Sequence, residues 1–210
     1  MIEELQKQGR IIVVSGPSGV GKTTLVETIL EHSSSIVRSV SATTRLPRSG
    51  ETDGVDYHFL PKSEFERLIE QNGLVEWTKY GENYYGTLKS TLESTIKAGK
   101  DIVLTIDVDG AIQLKKLGLS CLLIFILPPS VQILRQRLEE RKTETESELN
   151  QRLERAKAEF DLVAYYDYCV VNDQIPLAIQ QLIKIIEVDR FRIDENLVQS
   201  IKQQIPPVVS

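Results

Sequence analysis

Eight residues near the start of the chain, Gly16-Pro17-Ser18-Gly19-Val20-Gly21-Lys22-Thr23, have the types and the spacing to hold a polyphosphate. They read G-x-x-x-x-G-K-[ST]. Glycines let backbone N–H groups close around phosphate oxygens, the lysine reaches the β- and γ-phosphates, and the last hydroxyl serves a Mg²⁺ ion. The pattern carries meaning only between a strand and a helix. Here Ile11-Ile12-Val13-Val14 supplies the apolar run before it, and Thr24-Leu25-Val26-Glu27-Thr28-Ile29-Leu30 the helix-compatible run after it. The positive end of that helix adds to the attraction for an anion. This stretch specifies a nucleoside triphosphate, and the fate of the γ-phosphoryl depends on what stands opposite.

Two further segments narrow the chemistry. In Ser39-Val40-Ser41-Ala42-Thr43-Thr44-Arg45-Leu46-Pro47-Arg48, two arginines lie three apart in a loop braced by proline. Two guanidinium forks held there either clamp one phosphate bidentately or are simply solvated, and the neighbouring phosphate loop favours the clamp. In Gly73-Leu74-Val75-Glu76-Trp77, followed by Asn83-Tyr84-Tyr85-Gly86-Thr87, Glu76 stands among apolar and aromatic neighbours. A buried carboxylate needs donors. Guanine offers two adjacent N–H groups on its Watson–Crick edge, and adenine does not. Tyr57 and Tyr85 carry hydroxyls suited to a phosphate and rings equally suited to a core.

The elements that must position these groups alternate. Strands are expected at 10–15, Val37 to Ser41, Tyr57 to Leu60, Leu74 to Trp77, Asn83 to Tyr85, Asp101 to Asp107, Cys121 to Leu127 and Tyr168 to Val171. Helices are expected at 22–32, from Pro61-Lys62-Ser63-Glu64 onward, at Leu88 to Ala98 before Gly99, and at Ala111 to Leu117 before Gly118. Val131, Leu134 and Leu138 form a helical stripe, residues 139–159 a charged, solvent-facing helical segment, and Ile175, Ile179, Leu182 and Ile186 one apolar helix face. Strands that alternate with helices imply a parallel sheet covered on both faces, with ligands beyond the C-terminal strand ends. The phosphate loop leaves the first strand at that edge, and Asp107 closes another strand there.

The bulk of the chain excludes other classes. Its 210 residues suggest one domain, and a net charge of −5 argues against nucleic-acid binding. No run of eighteen apolar residues points to a membrane span, and Met1-Ile2-Glu3-Glu4-Leu5-Gln6-Lys7 lacks an apolar signal core, so a cytoplasmic protein is expected. Cys121 and Cys169 sit in apolar runs and read as small core residues in a reducing compartment. His32 and His58 are solitary and read as surface or structural, with no zinc-ligand spacing.

Taken together, Gly16–Thr23, Ser41–Arg48, Asp56-Tyr57, Glu76-Trp77, Asn83–Thr87 and Val171-Asn172-Asp173 resemble the guanylate kinase family over about residues 10–188. The resemblance implies transfer of a phosphoryl group from ATP·Mg²⁺ to GMP or dGMP, in purine nucleotide metabolism and GMP recycling. It implies an α/β P-loop NTPase fold, a three-layer parallel sheet with an inserted GMP-binding subdomain and a helical lid. The core would span about 10–40, 96–134 and 159–190, the GMP-binding subdomain about 41–95, and the lid about 135–158.

By the same resemblance, Gly16 to Thr23 and Asn172 would bind ATP, Asn172 near the adenine. Arg45, Arg48, Tyr57 and Tyr85 would hold the GMP phosphate, with Glu51 positioning the arginines. Ser41, Glu76 and Thr87 would read the guanine edge. Arg137, Arg141 and Arg152 would close over the transferring phosphates, and Asp107 with Thr23 would serve Mg²⁺.

This sequence also departs from the family pattern. Thr105 stands where an acid is common, Glu140-Arg141-Lys142 replaces a frequent Gly-Arg-Gly, and Asp109 replaces a usual glutamine before Gly110. Two alternatives remain at this stage: a phosphotransferase for another monophosphate, and a non-catalytic guanylate-kinase-like binding module. The oligomeric state is open.

Overall fold

The computed structural model describes residues 9–140 and 146–193, with Val198 and Lys202. The chain opens with β1 (Ile11–Ser15), α1 (Lys22–His32), β2 (Ile36–Arg38), β3 (Ala42–Thr43), β4 (His58–Phe59) and α2 (Lys62–Glu70). It continues through β5 (Leu74–Tyr80), β6 (Asn83–Leu88), α3 (Lys89–Lys97), β7 (Asp101–Thr105) and α4 (Val108–Lys116). It closes with β8 (Cys121–Leu127), α5 (Val131–Glu139), α6 (Glu146–Phe160), β9 (Tyr168–Val171) and α7 (Ile175–Asp189).

Strands β2, β7, β1, β8 and β9 form, in that order, a five-stranded sheet in which every pairing is parallel. The inner strands are buried on both faces, which is why they read as unbroken apolar runs. Alternate residues divide between two cores. Ile12, Val14, Ile124 and Ile126 pack with Leu25, Ile29, Leu134 and Leu182 on one face. Ile11, Val13, Leu104 and Leu123 pack with Leu92, Ala111 and Leu114 on the other. Helix, sheet and helix make three layers.

A second sheet, ordered β4, β3, β6, β5, is built from residues 42–88. Its β5 and β6 form an antiparallel hairpin, longer than the short segments expected, because Gly81 takes a positive φ of 59° at the turn. At the N-terminal end of the main sheet, the fully buried Asp101 accepts from Arg10 Nη2 and Arg190 Nη2, each at 2.9 Å, and so ties the first strand to the last helix.

Several local expectations shift. The second strand spans Ile36–Arg38 rather than Val37 to Ser41, because Ser39 N donates the last bond to Val103 O and the chain then crosses to β3. β7 stops at Thr105, and α4 starts at Val108 rather than Ala111, because Asp107 is its N-cap and accepts from Gly110 N at 2.9 Å. Pro61 takes the cap position of α2 without a side-chain bond. Val131 and Ile175 are exposed in the first turns of α5 and α7, and Ala178, Leu182 and Ile186 carry the buried face. Helix α6 is only partly solvent-facing, since Leu149, Leu153 and Ala156 are buried. Both cysteines are free, but Cys169 is exposed, because β9 is an edge strand and only Val170 of its four residues faces the core. His32 is exposed and bonds Thr28 O within its own helix. Among the described residues, no helix is long and apolar enough to cross a membrane, and no metal-holding cluster of His, Cys, Asp or Glu occurs.

Candidate active site

The loop after β1 turns into α1 through Gly21, whose φ is 92°. A Cβ there would lie 2.5 Å from Asn172 Nδ2, so only glycine fits. Asn172 is 3% exposed and follows β9; its Nδ2 donates to Val20 O at 2.7 Å, while its Oδ1 is buried with no hydrogen-bond partner among the described residues. Arg137 Nη2 in turn donates to Asn172 O at 3.0 Å. Asn172 therefore braces the loop from behind, and Arg137 holds Asn172. Within the loop, Lys22 Nζ donates to Gly16 O and, at 3.0 Å, to Pro17 O. Thr23 is exposed at the start of α1.

A cavity of about 350 Å³ opens between this loop and the second sheet. Gly16, Ser18, Lys22, Asp107 and Arg152 line one side, and Ser41, Tyr57, Glu76 and Tyr85 the other. A more open depression of about 620 Å³ lies beyond β5, against Gln113, and contains none of the expected residues.

Glu76 is 4% exposed. A register shift between Leu74 and Glu76 sets it opposite Thr87, whose Oγ1 donates to Glu76 Oε1 at 2.6 Å. Its other oxygen lies against the start of α4, where a Cβ on Gly110 would stand 2.6 Å from Oε2. Burial pushes the Glu76 carboxyl up to about 7, against the lowering effect of the Thr87 bond, and the Asp107 charge adds to the rise.

Arg45, Arg48 and Glu51 form a preassembled unit. Arg45 grips both Glu51 oxygens, Nη1 to Oε2 at 2.9 Å and Nη2 to Oε1 at 2.8 Å, and Arg48 N donates to Oε2 at 2.7 Å. These donors hold the Glu51 carboxyl down at about 2. The Arg45 guanidinium lies 5.4 Å from the Tyr57 ring centroid, and the Tyr57 and Tyr85 rings meet edge-on at 6.1 Å. Burial raises the Tyr57 phenol above its ordinary value, so it stays protonated and able to donate.

Asp107 is raised by burial, against the pull of Gly110 N–H, Arg155 and Lys22. Arg152 Nη1 donates to Ser18 Oγ at 3.3 Å. Arg141 lies outside the described residues.

The structure adds cavity residues that the sequence reading missed, Thr78, Tyr80, Arg155 and Glu159, and it places Thr105, already singled out as a departure from the family pattern, on the same lining. Thr78 and Tyr80 follow Glu76 at the two-residue period of a strand, and Arg155 follows Arg152 by about one helical turn. Those spacings were the available signal.

A model of the guanylate kinase family matches residues 8–189. A guanylate kinase of Desulfitobacterium hafniense is 45% identical over 188 residues, covering 90% of this chain and 94% of its own. One from Caldanaerobacter subterraneus subsp. tengcongensis is 42% identical over 192 residues, covering 91% and 93%. The crystal structure of guanylate kinase from Anaplasma phagocytophilum superposes with a TM-score of 0.73 at 31% identity, covering 95% of this chain and 96% of that one.

Proposed function

The chain belongs to the guanylate kinase family, whose members transfer a phosphoryl group from ATP to GMP, and we propose that its residues divide this work between two half-sites facing one cavity. Gly16 to Thr23 hold the ATP polyphosphate, with Lys22 offsetting charge and Asn172 keeping Val20 in place. Ser41, Glu76 and Thr87 read the guanine edge. Arg45, Arg48, Tyr57 and Tyr85 hold the GMP phosphate, and Glu51 keeps the Arg45 fork rigid. Arg152, on the cavity wall, and Arg141 serve the transferring phosphates, and Arg137, which donates to Asn172 O outside that lining, joins them by leaving that carbonyl.

The donor set suits Mg²⁺, which takes few protein oxygens and keeps water and phosphate ligands. Thr23 and Asp107 would hold it, and it would neutralise phosphate charge. The chain's own groups supply alignment and water exclusion. No protein nucleophile is required, because the GMP phosphate oxygen is already anionic.

The domain division proposed is a core of 10–40, 96–134 and 159–190, a GMP-binding part of 41–95 and a lid of 135–158; the separate four-stranded sheet supports it. We also propose dGMP as a second acceptor and place the reaction in the cytoplasm, in purine nucleotide recycling. The net charge of −5 supports free nucleotides over nucleic acid as ligands.

The carrying observation is Glu76, a 4%-exposed carboxylate in the same cavity as Lys22. The test is ADP release from ATP·Mg²⁺ with GMP, dGMP, AMP and UMP in turn. Strong turnover with GMP and dGMP and weak turnover with AMP and UMP is expected; equal turnover with GMP and AMP would refute the base reading.

Gly110→Ala probes the packing behind that carboxylate. The added methyl would stand 2.6 Å from Glu76 Oε2 and must push it aside. KM for GMP is expected to rise about tenfold with KM for ATP unchanged, roughly the cost of one weakened charged hydrogen bond. Unchanged KM for GMP in steady-state assays would show that the carboxylate need not sit there.

A further inference from the structure

We infer that Arg155 is a positioning residue that couples the two half-sites, a reading that rests on the division of labour proposed above. Helix α6 carries Arg152 and Arg155 one turn apart. Arg152 reaches the phosphate loop at Ser18 Oγ, 3.3 Å away. Arg155 turns toward α4 and β5. Its Nη2 lies 3.5 Å from Asp107 Oδ2 and 3.6 Å from Asp109 Oδ2, both at the start of α4. Its Nε donates to Glu159 Oε1 at 3.1 Å. Its guanidinium sits 5.3 Å from the ring centroid of Tyr80, which shares a strand and a face with Glu76.

One side chain thus joins the helix that approaches the ATP loop, the helix that abuts Glu76, and the strand that carries Glu76. Fixing the base strand with GMP favours the α6 pose that keeps Arg152 at the loop. By linkage, ATP favours the GMP-competent strand equally. The contacts are weak enough to break in every cycle: the Arg155 side chain is 41% exposed and the Asp109 side chain 63%. Exposed pairs of this kind hold a pose without locking it. The arrangement also accounts for Asp109, which departs from the family pattern. It gives the guanidinium a second carboxylate, so that Asp107 is not its sole acidic anchor on α4.

The test is calorimetric binding of the non-hydrolysable analogue AMP-PNP·Mg²⁺, with and without saturating GMP. In the wild type, GMP is expected to tighten the analogue roughly five- to tenfold, the low end of ordinary coupling. In Arg155→Met, which keeps the apolar stem over Tyr80, that ratio falls below about twofold while each ligand alone binds within about twofold of wild type. Arg155→Lys retains an intermediate ratio. Asp109→Asn lowers the ratio while leaving the Arg155–Glu159 pair within α6 intact, which separates coupling from simple helix stabilisation. Adding it to Arg155→Met produces no further loss. An unchanged ratio in Arg155→Met, with both ligands bound normally, overturns the coupling and leaves the functional reading standing. A ratio of one in the wild type overturns it also. Failure of wild-type protein to bind GMP or the analogue overturns both readings.

Discussion

Glu76→Gln is expected to raise KM for GMP at least a hundredfold while KM for ATP stays within about twofold. The carboxylate in this pocket accepts from Thr87 on one oxygen and has acceptor capacity left for two adjacent N–H donors. Hydrogen bonds to a charged group contribute about 1.5–3 kcal/mol each, and a glutamine would turn an N–H₂ group toward donors and leave them unpaired in a buried site. The same carboxyl gives the reaction a pH dependence. With its pKa near 7, the acceptor form predominates only above neutrality. KM for GMP should therefore rise about tenfold per unit as pH falls below 7, and this slope should vanish in Glu76→Gln. A flat wild-type profile between pH 5.5 and 8 would contradict the assignment.

Stability should move the opposite way. The folded protein holds a proton on Glu76 that an unfolded chain, with a value near 4.5, gives up earlier. Its contribution to stability is present below pH 4.5, is lost as pH rises through 7, and is fully lost above that. Glu76→Gln escapes this cost and should be the more stable protein at pH 8, by an order of 3 kcal/mol. Urea denaturation at pH 5 and pH 8 measures the difference.

Lys22→Met is expected to lower kcat about a thousandfold and to leave KM for GMP nearly unchanged. Methionine keeps the length and removes the charge. The ammonium is already held inside the loop by Gly16 O and Pro17 O, so no ordering remains to be done when phosphate arrives. Removing one preorganised electrostatic contact to a developing charge typically costs a factor of a hundred to a thousand. Steady-state rates at saturating ATP and GMP decide the matter. A loss under tenfold, or one confined to KM for GMP, would remove Lys22 from the chemical step.

Much of this was legible in the residues. Gly16 to Thr23 could be read as the turn from β1 into α1, because a loop that folds that tightly demands glycines at fixed places. Glu76 could be read because a carboxylate in an apolar, aromatic stretch needs an explanation. The inner strands β1, β7 and β8 were legible because burial on both faces leaves no polar interruption.

What escaped depends on neighbours that are distant in sequence. Arg155 looks like any other charge on a charged helix until α4 and Tyr80 are set beside it. Asp107 reads as a strand end, and only the turn at Gly110 makes it a cap. Cys169 reads as core because its run is apolar, yet strand order makes β9 an edge. Val131 and Ile175 fit their helical stripes, yet each opens its helix and is left exposed there.

The brace of Val20 by Asn172 also fixes an order of events during synthesis. The two residues are 152 positions apart. β1 is made among the first residues, but its sheet neighbours β7 and β8 emerge only some ninety to one hundred and ten residues later, at roughly 5–20 residues per second. Until the ribosome passes Asn172, the nascent chain carries a complete nucleotide motif without the side chain that holds Val20 O. The motif is translated first and its last brace arrives late, so a prematurely terminated product that lacks β9 and Asn172 keeps every residue of the motif but not the bond that ties Val20 to the far edge of the sheet.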